Sequence, residues 1–198
     1  MEISVRNLTK SYGGKTVLQN VSFTARAGVT CVMAPSGSGK TTLLRLVLGL
    51  ETPDGGEVSV PAGCRFAAVF QENRLLEGLD ALGNLRFVLG PALEEPAARA
   101  LLEELGLGDV GSKIVRDYSG GMKRRLALAR ALLAPSDVLV LDEPFTGLDG
   151  DNRLRALDCV RRAAEDKPVL LVTHDPRDAA GAFLLLSLKN RSFELEGK

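Results

Sequence analysis

Between Gly28 and Leu50 the chain reads "GVTCVMAPSGSGKTTLLRLVLGL". A short apolar run leads into a loop of small residues. Leu43, Leu44, Leu46, Val47 and Leu50 then recur at helical spacing. A buried strand, a tight glycine loop and an amphipathic helix in immediate succession leave few folds open. Gly37 and Gly39 let the loop turn its N–H groups inward, and a helix starting near Lys40 adds the positive end of its dipole. That is a cradle for a phosphate chain. Lys40 can reach β- and γ-phosphates, and the Thr41 hydroxyl can ligate Mg²⁺. The usual pattern, G-x-x-x-x-G-K-[ST], opens on glycine, and this chain has Ala34 there. A methyl group costs about 1 kcal/mol or more only where φ is positive. The expectation is a negative φ at Ala34. The plainer alternative is a Gly/Ser turn ahead of a core helix, so the rest of the chain must decide.

The surroundings are α/β in pattern. "EISVRNL" and "TVLQNVSFTA" read as strands joined by the turn "YGGK", and short strands follow near "EVSV" and "RFAAVF" after the turn cluster "TPDGGEV". From about Gln71 to Pro135 helical signals replace strand signals. "LEEPAARALLEELG" has Glu94 and Glu95 at its start, Pro96 in its first turn and Gly106 as its stop. "MKRRLALARALLA" is a second helix, with Met122, Leu126, Ala129 and Leu133 on one stripe and Arg124 and Arg125 on another face. Alternation resumes with the strand "SDVLVLDEP", the helix "DNRLRALDCVRRAAED" and the strand "KPVLLVTHD". Asp175-Pro176 looks like a helix cap and first position. Strands alternating with helices imply a mainly parallel sheet covered on both faces, with a helical insertion. At 198 residues the chain is one domain. Its core is about 1–70 and 136–198, and its helical subdomain is about 71–135.

Lys+Arg and Asp+Glu number 25 each, so the balanced charge argues against a nucleic-acid binder. Cys31, Cys64 and Cys159 form no C-x-x-C pair and read as reduced thiols. The N-terminus is polar and unlike a signal peptide. "AAGAFLLLSL", Ala179 to Leu188, is about half a membrane span and reads as a helix end plus a strand.

Phosphate chemistry needs an acid at another strand end. "VLVLDEP" supplies Asp142 there with Glu143 beside it. Neighbours cannot share one direction, which suits Asp142 for the metal shell and Glu143 for the attacking water. "YSGGMKRRLALARALL" places Ser119-Gly120-Gly121 immediately before a helix, a second start free to take an anion. Two such starts in one chain make sense if the second serves a nucleotide held by another copy.

With these residues in view, the chain resembles the ATP-binding subunit of an ABC transporter from about residue 2 to residue 188. Tyr12 matches the aromatic that stacks on adenine, a contact worth about 1–3 kcal/mol. Ala34, Pro35, Ser36, Gly37, Ser38, Gly39, Lys40, Thr41 and Thr42 match the Walker A loop. Gln71 matches the Q-loop glutamine, "YSGGM" the signature, "VLVLDE" Walker B, Asp149 in "GLD" the D-loop, and His174, the single histidine, the switch histidine.

The resemblance implies a P-loop NTPase core, an N-terminal antiparallel β subdomain and ATP with Mg²⁺ as cofactors. It implies Thr41, Gln71 and Asp142 at the metal, and Glu143, His174, Lys40 and Gln71 in catalysis. It also implies a head-to-tail homodimer in which Ser119, Gly120, Gly121 and Asp149 of one copy meet ATP on the other. The partner is a transmembrane permease, and the place is the cytoplasmic face of the membrane. Met122 stands where the family has Gln, and Tyr118 where it has Leu; the phosphate contacts come mainly from the Ser and Gly residues. "VFQENRLLEGLDALGNLRFVL" is similar to importers of the nitrate, sulfonate and taurine type, which implies an extracytoplasmic substrate-binding protein as a further partner. The alternatives are an exporter or lipoprotein-release subunit, and a soluble ABC ATPase in DNA repair or translation.

Overall fold

The structure is a computed structural model that describes residues 1–110, 112–179, 181–189 and 192–195. β1 (Ile3–Tyr12) and β2 (Lys15–Ala25) form an antiparallel hairpin. Gly13 and Gly14 turn it with φ of 55° and 78°, the left-handed pair that a two-residue hairpin turn requires. β4 (Gly55–Ser59) pairs with the other edge of β1, giving a three-stranded sheet. The "TPDGGEV" turn cluster is shorter than its composition implies, because Gly55 and Gly56 already belong to β4.

The second sheet has six strands. They are β3 (Gly28–Met33), β5 (Phe66–Val69), β6 (Val138–Asp142), β7 (Pro168–Thr173), β8 (Leu184–Lys189) and β9 (Ser192–Leu195). The order is β5-β6-β7-β3-β8-β9, parallel except where β9 runs antiparallel to β8. The central strands are buried along their whole length, so they read as unbroken apolar runs. Their side chains alternate between two cores. Leu139 and Leu141 of β6 join one, and Val138 and Val140 join the other.

The second core packs α1 (Lys40–Val47) between the two sheets. The first core packs α2 (Ala81–Leu89), α3 (Glu95–Glu104), α4 (Gly120–Leu133) and α5 (Gly150–Asp166). α3 begins at Glu95 with Pro96 in its first turn and ends short of Gly106, as its sequence signals predict. α2 is a helix that the sequence signals did not single out, capped by Asp80 accepting from the Gly83 amide at 2.6 Å. Asp175-Pro176 starts only a 3-10 turn, Pro176–Ala179. Ala180, within the "AAGAFLLLSL" stretch, lies outside the described residues; the strand expected there is β8.

The face of α4 that carries Arg124 and Arg125 is not open to solvent. They are 4% and 8% exposed, in a helix whose residues Leu126 to Ala129 are buried all round. Each guanidinium is spent on backbone carbonyls instead. Among the described residues no helix is long and apolar enough to cross a membrane.

Candidate nucleotide site at the strand ends

Parallel pairing sets the site. Val32 of β3 and Asp142 of β6 both pair with Val172 of β7, so the three strands end together. The loop after β3, the acids after β6 and His174 after β7 therefore meet on one edge, where α/β sheets bind ligands.

Gly39 caps α1 with φ of 98° and no side-chain cap, which leaves the first amides of the helix unclaimed by the chain. A Cβ at Gly39 would lie 2.7 Å from Val17 Cγ1 and 3.3 Å from Val17 O. Gly37 has φ of 75° with open space beside it. Ala34 is not among the described non-glycine residues with positive φ, which are Asn7, Asn20, Arg74 and Glu143. Its methyl group is buried with Val32 and Leu43, and its amide donates to Thr173 O at 3.4 Å. The alanine in place of the first glycine therefore carries no left-handed strain.

Two substitutions separate these cases. Gly39→Ala is expected to weaken ATP binding about tenfold or more, because left-handed strain of roughly 1–2 kcal/mol adds to the clash. Ala34→Gly is expected to leave affinity within about twofold. Titration with a fluorescent ATP analogue checks both, and similar losses at the two positions would contradict this reading of the loop.

Lys40 is 5% exposed. Its ammonium donates to Ala34 O at 2.6 Å and Pro35 O at 3.0 Å, and lies 3.5 Å from Glu143 Oε1. Thr41 Oγ1 donates to Asp142 Oδ2 at 3.0 Å. Asp142 is 1% exposed, and burial raises its carboxyl above the usual carboxylate range against the lowering effect of the Thr41 hydroxyl. Asp142 Oδ1 and Ser38 Oγ are buried without a hydrogen-bond partner. Orphaned buried oxygens are uncommon, and these two sit in the loop after β3 and at the end of β6. A hydroxyl and a carboxylate are hard oxygen donors suited to Mg²⁺, whose remaining ligands are ordinarily water and phosphate.

Glu143 has φ of 52° and donates its amide to Val172 O at 2.8 Å. This turn separates the two acids. Asp142 meets Thr41, while Glu143 Oε2 lies 2.7 Å from His174 Nδ1 and accepts from Thr146 Oγ1 at 3.4 Å. His174 Nε2 makes no other hydrogen bond among the described residues. Tyr12 is 44% exposed; its hydroxyl donates to Glu51, and the Lys10 ammonium lies 5.4 Å from the ring centre.

Two clefts share Ser36, Gln71 and Glu143. One of about 470 Å³ joins Tyr12, Gly37, Gly39, Lys40, Thr41 and Thr42. The other, about 780 Å³, reaches Ser119, Gly120, Gly121, Asp149 and His174. Ser119 and Asp149 also cap α4 and α5, accepting from the Met122 amide at 3.2 Å and the Asn152 amide at 3.0 Å.

Residues 18–146 match the ABC transporter family. The chain belongs to the ABC transporter family. ATP-binding subunits of this family hydrolyse ATP to drive transport, and the chain is of that kind. It is 45% identical over 181 residues to the "Aliphatic sulfonates import ATP-binding protein SsuB 1" of Nocardia farcinica, covering 89% of this chain and 73% of that one. It is 41% identical over 201 residues to the corresponding SsuB 3 of Rhodococcus jostii, covering 99% and 74%. A solved chain described as "Structure of ATP binding subunit of ABC transporter" superposes with a TM-score of 0.86 at 24% identity, over 100% of this chain and 90% of that one, which supports the ABC ATPase fold.

The ABC motifs were legible in sequence; several of their supports were not. Arg124, Thr146 and Glu51 each touch a site residue without belonging to any motif. For Arg124 one signal existed. The run "LALARALL" that follows it carries one charge in eight residues, so this helix has little solvent face to offer.

Proposed function

We propose that this ABC subunit hydrolyses Mg²⁺-ATP between two copies of itself and drives a separate transmembrane permease that imports sulfonates. The observation that carries the catalytic part is the convergence of Lys40, Asp142, Glu143 and His174 on one sheet edge. In this reading residues about 71–135 form the helical subdomain of a single ABC ATPase domain.

Mg²⁺ would be held by Thr41 and Asp142, with Gln71 from the segment after β5, and would supply neutralisation of the phosphates' negative charge. The loop amides of residues 35–42 and the Lys40 ammonium bind the phosphates, and Tyr12 stacks on the base. Glu143 accepts the proton of the water that attacks the γ-phosphorus as the bond to ADP breaks. His174, held through Nδ1 by Glu143, presents Nε2 toward the γ-phosphate. Ser119, Gly120 and Gly121 of the second copy, with its Asp149, close over the same phosphates and stabilise the charge that develops there. The open start of α4 supports the pairing: Ser119 and Gly120 are exposed.

The relatives' printed names supply the transport direction and the substrate class. In this reading the subunit sits against a permease at the cytoplasmic face of the membrane, with an extracytoplasmic substrate-binding protein completing the importer; the relatives' names support the import part. Deleting the chain is expected to abolish growth on an alkanesulfonate as sole sulfur source and to spare growth on sulfate. Normal growth on the sulfonate would overturn the import reading and leave the ATPase reading standing.

A further inference from the structure

We propose that Arg124 is a positioning residue for hydrolysis, one that fixes the Glu143 carboxylate and ties it to the Q-loop and the signature helix. The inference rests on the reading of Glu143 as general base.

Arg124 lies on α4, five residues after Ser119. Its Nη2 and Nε donate to Glu143 O at 2.7 and 3.2 Å, and Nη2 also donates to Asp142 O. Its Nη1 donates to Phe70 O, to Gln71 O at 3.3 Å and to Asn73 Oδ1 at 3.2 Å. One planar fork thus joins the end of β6, the segment after β5 and the start of α4. No carboxylate of the described residues lies within ion-pair distance of it; carbonyl oxygens fill its fork, and the Asp142 and Glu143 carboxylates act on its charge from further off. Five donors in a fixed plane suit this task, and a lysine's single ammonium does not.

Glu143 needs such a fastener. A glutamate at φ of 52° is strained, and a strained backbone persists only where its surroundings over-determine it. Val172 O holds the Glu143 amide at 2.8 Å, and Arg124 holds its carbonyl. With both ends of the residue fixed, the carboxylate is directed to His174 and Lys40 and away from Asp142. Arg125, the neighbour on α4, is also buried, but it holds Leu105 O at 2.5 Å, Gly106 O at 2.8 Å, Asn152 Oδ1 at 2.8 Å and, more distantly, Gly121 O at 3.4 Å, and none of these bonds reaches Asp142, Glu143 or the segment after β5. It is the comparison: a buried arginine on the same helix with no hydrogen bond to Glu143 among the described residues.

The test is single-turnover ATP hydrolysis by the full chain carrying Arg124→Gln, in the wild-type and the Glu143→Gln backgrounds, with ATP affinity measured alongside. Arg124→Gln is expected to slow hydrolysis about tenfold or more in the wild-type background, less than about twofold in the Glu143→Gln background, and to leave ATP affinity within about threefold. Arg125→Gln is expected to lower the thermal midpoint without this dependence on background. Equal slowing of Arg124→Gln in both backgrounds would overturn the proposal. Arg124→Lys, which keeps charge and bulk, carries the same comparison should the glutamine variant fail to fold. A Glu143→Gln chain that hydrolyses at the wild-type rate would be a separate failure, that of the general-base reading.

Discussion

Glu143→Gln is expected to bind ATP with an affinity within about threefold of wild type and to hydrolyse it about 10²- to 10⁴-fold more slowly. The amide keeps the shape of the side chain and can still meet His174 and Thr146, so the site stays assembled. It cannot take a proton from water. The position of the carboxylate fits the proposed role. It lies 3.5 Å from the Lys40 ammonium and 2.7 Å from His174 Nδ1, within a hydrogen bond or two of where the loop would present a γ-phosphate. Single-turnover hydrolysis of γ-labelled ATP measures the loss. A rate near wild type would remove Glu143 from the role of base.

Lys40→Ala is expected to act earlier, on binding. Lys40 is 5% exposed and its ammonium is held by Ala34 O and Pro35 O, at the mouth of its own loop. A charge-assisted hydrogen bond to phosphate is worth about 1.5–3 kcal/mol, so affinity for ATP should fall roughly 10- to 100-fold. The variant also leaves the Glu143 carboxylate, largely buried, short of its nearest cation, which adds to the loss. Equilibrium titration decides it, and unchanged affinity would contradict the cradle.

What could be read from the sequence, and what could not, divides along a physical line. β3, β6 and β7 are short apolar runs bounded by loop signals, and local pattern is enough to place them. α3 carries its start and stop in its own residues. α2 does not. "ALGNLRFVL" holds Gly83, Asn84, Phe87 and Val88, all weaker helix formers than alanine or leucine, and Phe87 is 71% exposed, so neither propensity nor an apolar stripe announces it. What holds it is tertiary: Asn84 is buried and bonded to both backbone groups of Leu76. The buried arginines of α4 follow the same logic. Charge predicts exposure, and only the fold supplies the carbonyls that reverse it.

At the site, the residue types and their order were legible because the chemistry demands them at fixed spacing. The conformations were less so. Ala34 was expected to avoid positive φ and does. Nothing in "LDEP" announces that Glu143 adopts it, and that one backbone angle sends two adjacent acids to different partners.

In the proposed dimer each ATP is enclosed by the loop of one copy and the signature of the other, and a mixing experiment decides whether it is. A chain with Lys40→Ala has a broken loop and an intact signature; a chain with Ser119→Arg has the reverse. Neither alone is expected to hydrolyse ATP. An equimolar mixture is expected to regain hydrolysis at roughly a quarter of the wild-type number of sites, because half of randomly paired head-to-tail dimers contain one site built from two intact halves. A mixture that stays at the level of its parents would contradict the composite site.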